Sequence, residues 1–258
     1  MANLKDKKFR LKIRRQDAPN TGAYWQEFTL TWQLNMNIIS ALMEIQKNPI
    51  TSQGEAVPPV VWECSCLEEV CGACTMVING KVRQSCSALI DELLEHGSTI
   101  VLEPMHKFPV VRDLMVDRSK MFANLQRVNA WIDIDGTWDM GAGPRMPERD
   151  RTWAYELSRC MTCGCCLEAC PQFAGPQYFM GAAIISQVRL FNTHPTGKMH
   201  REKRLAALMA PDGIAMCANA QNCKEVCPKK IQLHLSIIDV QKDVIFHGIR
   251  SFFKGNKA

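Results

Sequence analysis

The chain has 258 residues, 47% of them hydrophobic and 22% charged, with 31 Lys and Arg against 26 Asp and Glu. That length exceeds the roughly 100–200 residues usual for one domain and favours two, while near-average composition without low-complexity tracts excludes a disordered, collagenous or coiled-coil protein. A formal charge of +5 with dispersed basic residues argues against nucleic-acid binding, and no apolar run approaches the ~20 residues that span a bilayer.

The N-terminus, MANLKDKKFRLKIRR, is basic but lacks the apolar stretch of a secretory signal, so a reducing compartment is expected. Phe9, Leu11 and Ile13 alternate with polar residues as in a strand, and Tyr24 to Leu30 reads as a second strand. Ile38, Ile39, Leu42 and Ile45 recur at helical spacing, with Asn35 or Asn37 as the cap. Thr75 to Ile78, the dipeptide Asn79-Gly80 and Lys81 to Gln84 make a strand, a type I′ turn and a strand. Thr99 to Glu103 adds a last strand. Two strands, a helix, a hairpin and a closing strand predict a small mixed sheet over one helix, a β-grasp, for residues 1–116.

Residues 117–258 lose the strand pattern. An amphipathic stretch around Met121 to Val128 and a Gly/Pro-rich passage, Asp139 to Pro147, lead into helices expected near 153–159, 181–191, 200–210 and 231–249, broken by Gly and Pro. The whole is therefore an α+β chain, with an N-terminal β-grasp followed by an all-α domain whose turns carry cysteine. The last helix is read as packed on its own domain, with docking of Ile231 to Phe253 on lipid headgroups or a membrane partner as the alternative, and the basic tail beyond Phe253 is open to anionic lipid.

Thirteen cysteines, an odd number and about 5% of the chain, are too many for structural thiols alone. In a reducing compartment such clusters bind metal through their thiolates. Cys66, Cys71 and Cys74 have the C-x4-C-x2-C spacing of a plant-type [2Fe-2S] ferredoxin, and Cys86 follows on the returning strand of the hairpin. If Asn79-Gly80 is a two-residue turn, Ser85 lies opposite Cys74 and Cys86 beside it, so distant thiols converge. Gly72 is expected to let the loop backbone approach inorganic sulfide. Structural zinc is the rival, although zinc sites usually join two short knuckles. Cys64 is read as a small core residue, with replacement of Cys66 as its alternative.

Cys160, Cys163, Cys166 and Cys170 before Pro171 form the bacterial ferredoxin run C-x2-C-x2-C-x3-C-P. Cys217, Cys223 and Cys227 before Pro228 repeat the frame, but Ala220 replaces its second cysteine. In two-cluster ferredoxins the fourth cysteine of each run serves the other cluster. Cys160, Cys163, Cys166 and Cys227 then hold a [4Fe-4S] cluster, and Cys170, Cys217 and Cys223 supply three thiolates to a [3Fe-4S] cluster, unless water or another side chain fills the corner. Cys165 is left over as a small packed residue. Three clusters at about −2 each would bring the formal +5 to about −1. No nucleophilic triad, phosphate loop or paired carboxylate accompanies the cysteines, so no catalytic residue is expected. His106, His194 and His200 are read as surface or structural.

This order of domains, with the segment Phe108 to Asp117, closely resembles the iron-sulfur subunit of succinate dehydrogenase and fumarate reductase. The runs Leu67 to Cys74, Gly143 to Pro147 around Arg145, and Ser186 to Gly197 resemble the branch from menaquinone-using Gram-positive bacteria. The resemblance implies electron transfer from a flavoprotein subunit with covalent FAD, through [2Fe-2S], [4Fe-4S] and [3Fe-4S] clusters, to a membrane-anchor cytochrome b subunit with haem b and to menaquinone. It also implies a peripheral place on the cytoplasmic face of the bacterial membrane. One departure is visible: where the ubiquinone-reducing branch has an aromatic pair and a histidine near quinone, this chain has Ala174-Gly175 and Ala218. That favours onward transfer through haem. The alternatives are the fumarate reductase direction, a free multi-cluster ferredoxin, a zinc-binding module, and the two-cluster subunits of glycolate oxidases and heterodisulfide reductases, which generally lack the β-grasp domain.

Overall fold

A computed structural model describes residues 7–133, 145–173 and 179–254. The chain divides into two compact units, one of Met1–Arg118 with Met161–Glu168, the other of Ser119–Cys160 with Ala169–Ala258. Met161–Glu168 falls inside the stretch 117–258 that the sequence assigns to the helical domain, yet it packs with the first unit.

The first unit contains β1 (Lys8–Arg15), β2 (Tyr24–Thr31), α1 (Ile38–Lys47), β3 (Thr75–Ile78), β4 (Lys81–Gln84), α2 (Ile90–Leu93), β5 (Thr99–Glu103), β6 (Val110–Arg112) and β7 (Met115–Val116). Five strands form one sheet in the order β2-β1-β5-β3-β4. Only β1 and β5 are parallel, which requires the long crossover that carries α1 and the hairpin. The period-two pattern of β1 sends Phe9, Leu11 and Ile13 inward, and Ile38, Leu42 and Ile45 of α1 meet them in the core. Asn37 is the cap: its Oδ1 accepts the Ser40 N–H at 2.9 Å, and Ser40 Oγ accepts the Asn37 N–H at 2.9 Å. Asn35 instead turns the chain ahead of the helix at φ +62°. Asn79 and Gly80 both have positive φ, +48° and +75°, as a type I′ turn demands.

The β6–β7 hairpin has no counterpart in the sequence reading. Its turn residue Asp113 is fully buried and pairs with the equally buried Arg15 at 2.8 Å. Arg15 also donates to Gln26 Oε1 and to the Pro58 and Pro59 carbonyls, while Asp113 accepts the Gln16 and Val61 N–H groups. A buried charge pair survives only when its remaining donors and acceptors are met, and here they are.

All regular elements described in the second unit are helical. They are α3 (Ser119–Arg127) and α4 (Glu148–Ser158); after these, α5 (Cys165–Glu168) belongs to the first unit. The second unit resumes with α6 (Ala182–Thr193), α7 (Arg201–Leu208), α8 (Asn222–Glu225) and α9 (Leu233–Lys254). Residues 182–188 of α6 are buried on every side, because α3, α4, α7 and α9 all pack on that helix. Arg204 of α7 is 1% exposed and is met by neutral oxygens, the Asn129, Trp131 and Gly197 carbonyls and Asn192 Oδ1. Arg127 closes α3 onto Asp212 with two hydrogen bonds, 2.8 and 2.5 Å.

Candidate metal centres

The loop 66–74 is built around sulfur. Cys66 Sγ accepts the N–H groups of Glu68 (3.4 Å), Val70 (3.3 Å) and Cys71 (3.3 Å). Cys71 Sγ accepts those of Ala73 (3.4 Å) and Cys66 (3.5 Å), and Cys86 Sγ accepts that of Glu69 (3.3 Å). Positive φ at Leu67 (+61°) and Glu69 (+54°) turns successive N–H groups the same way, the geometry of an anion-binding nest. The Glu68 and Val70 donors draw the Cys66 thiol down to about 7. Burial, with a hydrogen bond to Cys74, pushes Cys86 up to about 11. Six backbone donors facing three of four clustered thiols fit a thiolate-held, negatively charged iron-sulfur group.

The hairpin delivers the fourth thiol. Thr75 pairs with Gln84, and beyond that pair the Ser85 N–H donates to the Cys74 carbonyl at 3.2 Å, which brings Cys86 beside Cys74. The Asn37 amide donates to the Cys86 carbonyl at 3.0 Å and so ties the α1 cap to this strand end. Arg118 braces the other side of the loop through the Gly72 and Ala73 carbonyls and Glu63.

Gly72 has φ +73°, and a Cβ there would stand 2.6 Å from Cys163 Cβ and 2.7 Å from its Cα. Glycine thus also permits close approach to the loop of a second cysteine run. That loop is held in the first unit at two further points. The Gln84 amide donates to Cys165 Sγ at 3.3 Å, and the buried Glu168 carboxylate accepts the His106 and Lys107 N–H groups at 2.9 and 3.0 Å. A hydrogen bond from Cys165 draws the Cys163 thiol down to about 7, while the same bond and burial push Cys165 up. Cys165 is 1% exposed, as its reading as a packed residue requires.

The four cysteines read as [4Fe-4S] ligands divide between the units. Cys163 and Cys166 lie in the first, Cys160 at the end of α4 and Cys227 at the end of α8 in the second. Cys170, Cys217 and Cys223 all belong to the second unit and share one concavity, which encloses about 320 Å³ of atom-free space, open solvent included. Ala220, Ala218, Phe179 and Ile237 complete much of its wall, so the lining beside the thiols is largely apolar. Burial pushes the Cys223 thiol up to about 11, and the adjacent Cys170 and Cys217 add to the shift. The Asn222 amide donates to the Ala169 carbonyl at 3.0 Å and clamps the two cysteine segments together. Three converging thiols with alanine in the place of a fourth fit a three-thiolate cluster.

One expectation changes and one falls outside the description. Cys64 is exposed rather than in the core, as is its neighbour Ser65. Ala174 and Gly175 lie outside the described residues. The histidines have local duties: His106 pairs with Glu103 and Glu168, His194 Nδ1 accepts the Thr196 and Gly197 N–H groups, and His200 pairs with Asp133. The signals that sequence spacing missed are Gln84, Arg118 and Glu168, polar residues that secure cluster loops from a distance in sequence.

Residues 10–123 match the 2Fe-2S iron-sulfur cluster binding domain family, and residues 156–231 match the 4Fe-4S dicluster domain family. Fold and thiol constellations together define an iron-sulfur electron-transfer protein with a β-sheet 2Fe-2S domain followed by a helical dicluster domain. The chain is 56% identical over 252 residues to the succinate dehydrogenase iron-sulfur subunit of Bacillus subtilis, covering 98% of both. It is 30% identical to the fumarate reductase iron-sulfur subunit of Wolinella succinogenes, over 73% of this chain and 79% of that one. A chain of the Mycobacterium smegmatis Sdh1 complex in the apo form shares the fold at TM-score 0.75, with 21% identity and coverage of 93% of this chain and 97% of that one. The chain belongs to the family of succinate dehydrogenase iron-sulfur subunits.

Proposed function

We propose that this subunit works in the direction of succinate oxidation, with residues 1–116 as the [2Fe-2S] domain and 117–258 as the helical domain with two clusters. Bound clusters supply one-electron redox chemistry, in the order [2Fe-2S], [4Fe-4S], [3Fe-4S], between FAD on a flavoprotein subunit and haem b on a cytochrome b anchor that serves menaquinone. The chain's own task is to hold thiolates and to tune them. Cys66, Cys71, Cys74 and Cys86 hold the first centre, where the N–H groups of 66–73 stabilise negative charge. Cys160, Cys163, Cys166 and Cys227 hold the second, and Cys170, Cys217 and Cys223 the third, where an apolar wall limits water. The subunit then lies peripherally at the cytoplasmic membrane face; no helix among the described residues is long and apolar enough to cross a bilayer.

The observation that carries the [3Fe-4S] reading is Ala220 in the wall of the three-thiol concavity. Ala218, in the same wall, offers no side-chain donor to a quinone oxygen, which supports an exit through haem. The test is iron analysis with low-temperature EPR of the oxidised, purified complex. Non-haem iron should approach about nine atoms per chain, from 2 + 4 + 3, with a [3Fe-4S] signal present. A fully loaded complex without that signal overturns the assignment.

A further inference from the structure

Helix α9 has two apolar faces, and among the described residues only one is buried. Leu233, Ile237, Val240 and Val244 are buried, with Ser236 beside them, where α9 packs on α6, α7 and α8. On the opposite side Ile238, Ile245, Ile249 and Phe252 recur at spacings of seven, four and three, with Phe246 and Phe253 alongside. All six are more than half exposed, and Phe252 and Phe253 reach 83% and 81%. Single exposed apolar residues are ordinary, but a contiguous stripe of six marks a surface that something covers.

Charge identifies the occupant. The two acids of the helix, Asp239 and Asp243, are engaged by Arg189 and Arg201. Beyond Asp243 the sequence has no acidic residue but contains Arg250, Lys254 and Lys257. Helical spacing puts Lys242 within the stripe and Arg250 on its flank, and both are exposed; Lys242 also lines a polar groove with Asp239 and Asp243. Apolar and aromatic side chains on one arc, cations at its border and unopposed positive charge toward the end are the features of a helix lying in the headgroup region of an anionic bilayer. From Ile238 to Phe253 the stripe runs about 22 Å, and the helix lacks the apolar length to cross a membrane. It would therefore lie along the surface.

We propose that α9, from Ile238 to Phe253, is itself a lipid-contacting element that rests on anionic headgroups, in addition to any attachment the subunit makes to an anchor. The proposal extends the membrane-face location inferred above. Vesicle binding is tested on the chain alone before the complex is probed, so the two readings can fail separately.

The experiment is co-sedimentation of the full-length, cluster-loaded chain with vesicles of phosphatidylcholine alone and of equimolar phosphatidylglycerol and phosphatidylcholine. Binding is expected on the mixed vesicles and should weaken on phosphatidylcholine and in high salt. Phe252→Ser with Phe253→Ser should reduce it at least about tenfold without altering the visible cluster spectrum, and Arg250→Gln about fivefold on the anionic vesicles only. A Phe252→Trp reporter should be quenched by brominated lipid, both in the isolated chain and in the assembled complex. Absence of vesicle binding, or binding indifferent to the double variant, overturns the proposal. So does a reporter buried against the anchor or a second copy of the chain and unquenched by lipid.

Discussion

Ala220 sits in the frame where the second cysteine of a ferredoxin run would stand, and its methyl group cannot ligate iron. Its neighbours Asn219 and Gln221 both have positive φ, +56° and +60°, so the loop is already turned as a cluster loop without the fourth thiol. Ala220→Cys should then add a ligand rather than break the fold. Non-haem iron should rise from about nine to about ten atoms per chain and the oxidised [3Fe-4S] EPR signal should disappear. An unchanged signal would show that 220 is not the vacant corner. Gly72 is the opposite case, a residue defined by what it leaves room for. With Cys163 Cβ 2.6 Å from the space a methyl group would take, and φ at +73°, no other residue fits without moving one of two cysteine loops.

Among the elements, the hairpin of the first unit carries most of the positional information for its centre. Asn79-Gly80 sets the turn, the turn sets the register, and the register sets Cys86 beside Cys74. That chain of consequences is readable from residues because each step is local. The β6–β7 hairpin was not readable, since its strands have three and two residues and its turn residue owes its place to Arg15, 98 positions earlier. The Arg15–Asp113 pair draws β1, the segment 58–61 and this hairpin together. Asp113→Asn would leave the Arg15 guanidinium buried without a countercharge and should cost about 3 kcal/mol. Arg15→Met combined with Asp113→Asn should recover part of the loss. Thermal unfolding of the loaded protein, followed by bleaching of the [2Fe-2S] absorbance, measures both; equal stability of Asp113→Asn and wild type would contradict the account.

At the scale of the molecule, the surplus of basic residues has a use that composition alone hides. Thiolate-held clusters of about −2 each offset the formal +5, so positive charge need not advertise a polyanionic partner. If haem is the exit, haem-depleted complex that retains its cluster iron should lose menaquinone reduction yet still reduce an artificial dye with succinate; undiminished quinone reduction would refute that route. Cysteine spacing made the convergence of Cys66, Cys71 and Cys86, and of Cys170, Cys217 and Cys223, legible, because ligand geometry constrains short loops strongly. The membership of Met161–Glu168 was not legible, because it rests on Gln84, Glu168 and the missing side chain of Gly72, none of which has a periodic signature. That membership also bears on synthesis. The first unit includes a piece that leaves the ribosome 50 residues after Arg118. At ordinary elongation rates roughly 3–10 s pass between the two. Through that interval the nascent sheet waits with the recess over Gly72 unfilled, and a chain that stalls before Glu168 presents an unfinished unit to chaperones and proteases.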